Sequence, residues 1–115
     1  MQKNIYGKRS EIIAADYLKE KGYTIVEVNH KNRIGEIDII AKDKDYIVFV
    51  EVKARLSQKF GHPFEAIDER KQQKIKAVAS FYLMKNKKYG TRCRFDAISI
   101  LGLETPEITH IIDAF

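Results

Sequence analysis

Small and apolar positions recur at helical spacing near the start of the chain. Gly7, Ala14, Ala15 and Leu18 line one side while Lys8, Lys19, Glu20 and Lys21 take the others, which predicts an amphipathic helix over Tyr6–Lys21. Gly22 is placed to end it in the left-handed conformation, and the β-branched run Tyr23–Val28 reads as a strand. Asn29–Arg33 reads as a polar, basic connection closed by Gly35. Two apolar stretches, Glu36–Ala41 and Tyr46–Val52, then flank Lys42-Asp43-Lys44-Asp45, the short polar spacing of a hairpin. In the second stretch Ile47 and Phe49 alternate with Val48, Val50 and Val52, so both faces are apolar and the strand is expected at the centre of a sheet covered on both sides. Arg55–Pro63 reads as a polar loop containing Gly61 and Pro63. Asp68-Glu69 opens a second helix running to Asn86, with Ile75, Val78, Ala79 and Tyr82 as its buried stripe and Lys71 one turn ahead on that stripe. Arg92–Leu101 alternates as a strand, and Ile108–Ile112 reads as a last short one. The order α-β-β-β-α-β-β predicts one α/β domain over residues 1–115, a mixed central sheet flanked by helices.

Three charges do not belong in this pattern. Asp38 lies within Gly35-Glu36-Ile37-Asp38-Ile39-Ile40, and Glu51 and Lys53 lie within Ile47-Val48-Phe49-Val50-Glu51-Val52-Lys53. An isolated carboxylate in an apolar interior shifts its pKa, finds a partner or coordinates a metal, because desolvating the charge is costly. Glu51 and Lys53, two apart on one strand, point to the same face. A hairpin turning at Lys44-Asp45 sets Asp38 opposite Glu51, with Cβ atoms about 5 Å apart. A one-residue slip would send the two acids to opposite faces, so a shared site fixes the register. Two carboxylates with room for water and phosphate suit Mg²⁺ or Mn²⁺, which favour oxygen ligands. Such an ion promotes phosphodiester hydrolysis, with Lys53 as an electrostatic or general-base group. Glu11 joins the argument because it sits on the Gly7, Ala14/Ala15, Leu18 side of the first helix, from which it can reach a metal directly or through water.

Composition narrows the partners. Lys and Arg number 21 against 16 Asp and Glu, a formal net charge of +5, which favours polyanions. Arg33, Arg55, Lys71 and Lys74 fall in loops or at the start of the second helix, where they can meet phosphate without reading bases. Tyr6, Phe60, His62 and Phe64 offer stacking surfaces but form no RNA-binding module signature. The apolar runs are strand-sized, far short of the roughly 18 residues of a membrane span, and no signal-type stretch follows Met1, so a cytoplasmic protein with no membrane partner is expected. The lone Cys93 forms no internal disulfide and is expected to pack as a small apolar side chain. His30, His62 and His110 lack metal-ligand spacing, and there is no Gly-rich phosphate loop and no G-x-S-x-G elbow.

Plainer roles stand beside these. Asp38, Glu51 and Lys53 suit an ion pair that fixes strand register; Glu11, Lys71 and Lys74 suit solvated helix faces. Asp96, in Arg94-Phe95-Asp96, suits a pair with an arginine on the sheet surface.

Gly35-Glu36-Ile37-Asp38, Phe49-Val50-Glu51-Val52-Lys53-x-Arg55, Arg94-Phe95-Asp96 and the terminal Asp113-Ala114-Phe115 together resemble the bacterial YraN-like (UPF0102-type) family over nearly the whole chain. That family looks like a branch of the PD-(D/E)xK nuclease superfamily, closest in pattern to archaeal Holliday-junction resolvases. The resemblance implies a restriction-endonuclease-like α-β-β-β-α-β core. Asp38 and Glu51 match the superfamily's metal-binding acids, Lys53 its catalytic lysine, and Glu11 the helix glutamate of the resolvase branch. Ile37 stands where the superfamily motif has proline, a position that supplies no ligand. The implied activity is a Mg²⁺- or Mn²⁺-dependent endonuclease on structured or branched DNA, for which a homodimer suits a four-way junction by two-fold symmetry. The alternative is a nucleic-acid-binding module that keeps the fold without catalysis.

Overall fold

The structure, a computed structural model, describes residues 2–56, 67–88, 90–102 and 104–115, with side chains in the first helix from Gly7 onward. Its elements in chain order are α1 (Gln2–Glu20), β1 (Thr24–Lys31), β2 (Glu36–Asp43), β3 (Tyr46–Arg55), α2 (Glu69–Lys85), β4 (Cys93–Leu101) and β5 (Glu107–Ile111). This is the mixed α/β order read from the sequence. Most of the expected Arg55–Pro63 loop, including Phe60, Gly61, His62 and Pro63, lies outside the described residues, as do Phe64 and the side chain of Tyr6.

Local chemistry sets the element ends. At the end of α1, Gly22 adopts φ +95°, and Tyr23 N–H reaches back to Leu18 C=O at 2.9 Å, closing orphan carbonyls in the manner of a Schellman cap. Asp68 caps α2, its carboxylate accepting from Lys71 N–H at 2.9 Å. Lys44 turns the β2–β3 hairpin with φ +56°.

The five strands lie in sequence order, β1-β2-β3-β4-β5. All neighbours are antiparallel except β3 and β4, which run parallel and are joined through α2. β3 is therefore central, and Ile47, Val48, Phe49 and Val50 are all buried. One apolar layer joins α1 to the sheet through Ala14, Ala15, Leu18, Ile39, Val48, Val50, Ile98 and Ile100. The other joins α2 through Ile40, Ile47, Phe49, Ile75, Val78 and Tyr82. Truncating Phe49, which is fully buried, to alanine is expected to cost about 3–5 kcal/mol.

β1 continues through Asn29–Lys31, where the sequence pattern reads as a connection. It is an edge strand, so its backbone pairs with β2 on one side and its side chains need not be apolar. A register shift after Ile25 and the left-handed Asn29, φ +57°, carry the ladder on to the pairs His30–Ile37 and Lys31–Glu36. Gly35 then closes the turn against α2. A Cβ there would stand 3.1 Å from Val78 Cγ2 and 3.2 Å from Lys74 Cε.

Two sequence expectations change. Cys93 is exposed, because it is the first residue of β4, beyond the reach of the packed layers. Asp96 does pair with an arginine, but it is fully buried on the α1 side instead of lying on the sheet surface. Its oxygens accept from Arg94 Nε at 2.8 Å and Arg94 Nη2 at 3.0 Å, bond His110 Nε2 at 2.7 Å and accept from Asp113 N–H at 3.1 Å. Arg94 also donates to Asp43 at 3.1 Å and to the Tyr23 hydroxyl at 2.7 Å. Burial alone would raise the Asp96 pKa, but these donors outweigh it and hold the carboxyl below its ordinary value. The network ties β5 and the chain end to the sheet. No helix among the described residues is long and apolar enough to cross a membrane.

Candidate metal centre

The β2–β3 ladder runs from Asp43–Tyr46 to Ile39–Val50, which is the register that brings Asp38 and Glu51 level. The paired ladder stops there. Beyond it Asp38 uses its side chain where a backbone carbonyl would serve: Oδ2 accepts the Val52 N–H at 2.8 Å. The strand alternation slips at the same point, since Ile37 and Ile40 both pack on the α2 layer while Ile39 packs on the α1 layer. The opened strand pair thus admits a carboxyl into the sheet, and β3 presents Glu51 and Lys53 beside it.

Glu51 is buried, with Lys71 Nζ 3.3 Å from its Oε2. Asp38 is withdrawn from water and hydrogen-bonded to Glu51. Desolvation, that hydrogen bond and the neighbouring negative charge push its pKa up to about 9, against the opposing pull of the Val52 N–H. Within the protein, the charge of the pair is met by a proton on Asp38 and by the Lys71 ammonium. Lys53 is half-buried, and its pKa is lowered by desolvation and by a hydrogen bond with Lys71, with Glu51 and Asp38 pulling the other way. Lys71 responds oppositely: burial works against its charge, but Lys53, Glu51 and Asp38 together hold it above the usual lysine range. The two lysines therefore differ, burial making Lys53 the easier to deprotonate and the acids making Lys71 the harder.

Glu11 stands at the edge of this group. Desolvation raises its pKa, Asn29 lowers it, and the negative charges of Glu36 and Glu51 raise it further. Among the described residues no three His, Cys, Asp or Glu side chains are grouped to hold an ion. The donor set that fits a hard divalent cation is therefore the Asp38–Glu51 pair. Its oxygens need a positive charge to ionise together, and they leave coordination positions for water and phosphate, as Mg²⁺ and Mn²⁺ prefer.

The remaining basic residues are dispersed. Lys71, read from the sequence as a phosphate contact, lies inside the cluster; its place one turn ahead of buried Ile75 is the signal that points there. Arg33 is exposed, its guanidinium 5.4 Å from the centre of the Phe81 ring. Lys74 is exposed on α2 with its aliphatic stem over Gly35. Arg55 ends β3, and its Nε is buried without a hydrogen-bond partner among the described residues. Asn29 gives no charge out of pattern in the sequence; its polar side chain on β1, the strand beside Asp38, is the feature that marks it.

Fold and site define a mixed α/β protein with an acid pair and two lysines at an opened strand junction. Residues 10–100 match the family described as "Uncharacterised protein family UPF0102", and the chain belongs to that family. It is 49% identical over 109 residues to a UPF0102 protein of Clostridioides difficile, covering 95% of each chain. A UPF0102 protein of Caldanaerobacter subterraneus subsp. tengcongensis is 45% identical over 119 residues, covering 100% of this chain and 98% of its own. One from Thermodesulfovibrio yellowstonii is 49% identical over 110 residues, covering 95% and 94%.

Proposed function

We propose that the protein is a Mg²⁺- or Mn²⁺-dependent endonuclease that hydrolyses phosphodiester bonds in structured or branched DNA. The observation that carries this reading is the Asp38–Glu51 pair, a half-buried and a buried carboxyl whose joint ionisation calls for a cation, set beside Lys53 and Lys71. Asp38 and Glu51 would hold the ion. When bound it supplies Lewis-acid stabilisation of charge on the phosphate oxygens. Lys53, whose pKa is lowered by desolvation, is placed beside the acids to take a proton from the attacking water. Lys71 keeps a positive charge at the site's mouth and draws the phosphate in. The net charge of +5 adds long-range attraction to a polyanion.

A second reading is a nucleic-acid-binding module without catalysis, favoured by the absence, among the described residues, of a third acid grouped with Asp38 and Glu51. Incubating flap, single-stranded, duplex and four-way-junction DNA with Mn²⁺ separates the two. The nuclease reading expects cleavage by wild type and none by Asp38→Asn or Lys53→Ala. Salt-sensitive binding with no cleavage of any substrate would favour the module.

A further inference from the structure

We infer that the hollow between β1 and the C-terminal half of α2 binds an unpaired nucleotide, so that the protein takes nucleic acid with a single-stranded segment. The inference borrows its ligand class, a nucleic acid, from the preceding reading, but needs no catalysis. The hollow measures about 630 Å³, within the range of small-ligand sites. It is lined by residues of β1, of the turn that follows it and of the second half of α2, and by none of Asp38, Glu51, Lys53 or Lys71.

Its chemistry is that of a nucleotide cradle. Phe81 is only half-buried and carries the Arg33 guanidinium 5.4 Å from its ring centre, a stacked aromatic–cation platform on which a base can lie. His30 meets Tyr82 edge-on, 5.1 Å between ring centres, and forms the wall beside it. Lys31, Arg33 and Lys85 are exposed at the rim, against one carboxylate, Glu27, which His30 Nδ1 engages at 2.9 Å. The surplus of positive charge fits the phosphate that travels with each base. A paired base cannot use the platform, because its faces are already covered by its neighbours in the duplex; an unpaired base can.

The test is fluorescence anisotropy in EDTA, so that no cleavage intrudes, with a labelled twelve-nucleotide oligo-thymidine and a blunt duplex of the same length. Wild type is expected to bind the single strand at least tenfold more tightly than the duplex. Phe81→Ala should weaken single-strand binding by about tenfold, with little change on duplex. Arg33→Ser with Lys85→Ser, both exposed, carries the same test should Phe81→Ala fail to fold. Unchanged single-strand binding in a folded variant, or equal loss on both ligands, would overturn the inference. Failure of Mn²⁺-dependent cleavage with these binding differences intact would count against the nuclease alone.

Discussion

Asp38→Asn should make the metal-free protein more stable at neutral pH while removing one of the two proposed metal ligands. The Asp38 carboxyl has an unfolded pKa near 3.9 and is pushed up to about 9 in the fold. The folded state thus binds more protons, and stability attributable to this group is complete below about pH 4 and is lost as pH rises through 9. At pH 7 the gap of about three pH units corresponds to about 4 kcal/mol, and water at the partly exposed carboxyl reduces this to about 2 kcal/mol. Asparagine keeps an acceptor for the Val52 N–H, gives Glu51 a donor and carries no charge. The expected gain is about 8 °C in melting temperature at pH 7 in EDTA, at about 4 °C per kcal/mol for a domain of this size. It should grow from pH 5 to 8.5 and vanish near pH 4. Thermal melts of both proteins across that range make the assay. A variant that is less stable at every pH, or whose difference from wild type ignores pH, would refute the electrostatic account of the pair.

Lys71→Met removes the ammonium beside Glu51 and should cost about 1 kcal/mol without metal, yet give a larger Mn²⁺-induced rise in melting temperature than wild type; an equal rise would mean that Lys71 does not share the acids with the ion. Asp96→Asn strips the half-buried Arg94 of its principal partner and should cost about 3 kcal/mol at pH 7. Because the folded pKa of Asp96 is depressed, its contribution is present above about pH 4 and lost as pH falls through the folded value, so urea melts of the two proteins should converge in acid. Arg33→Ala should reduce the salt dependence of DNA affinity by about one phosphate contact, measured as the slope of log K against log salt.

The apolar periodicities expose most of the fold because each buried stripe has one solution. The doubly apolar run Ile47–Val52 had to be central, and Gly22 and Asp68 mark helix ends by mechanisms that residue type alone reveals. The hairpin register was also legible, since a two-residue turn leaves one alignment that puts Ile39 and Val50 in the core together. What pattern could not show were the departures from regular structure. The last stretch of β1 pairs through its backbone with no apolar requirement. The ladder's opening beyond Ile39–Val50 turns Asp38 from a cross-strand neighbour into a cap for Val52. Lys71 and Asn29 reach the site through tertiary placement of α2 and β1, and Asp96 is buried only because Arg94, His110 and Asp113 arrive from three points of the chain.

The central claim is that Asp38 and Glu51 are arranged for one divalent cation. Calorimetric titration of Mn²⁺ at pH 7, repeated in buffers of different ionisation enthalpy, tests it without any substrate. The account predicts saturable binding of one ion with release of about one proton, from Asp38, and no binding by Asp38→Asn or Glu51→Gln. Absence of binding by the folded wild type, or binding that both variants retain, would contradict it.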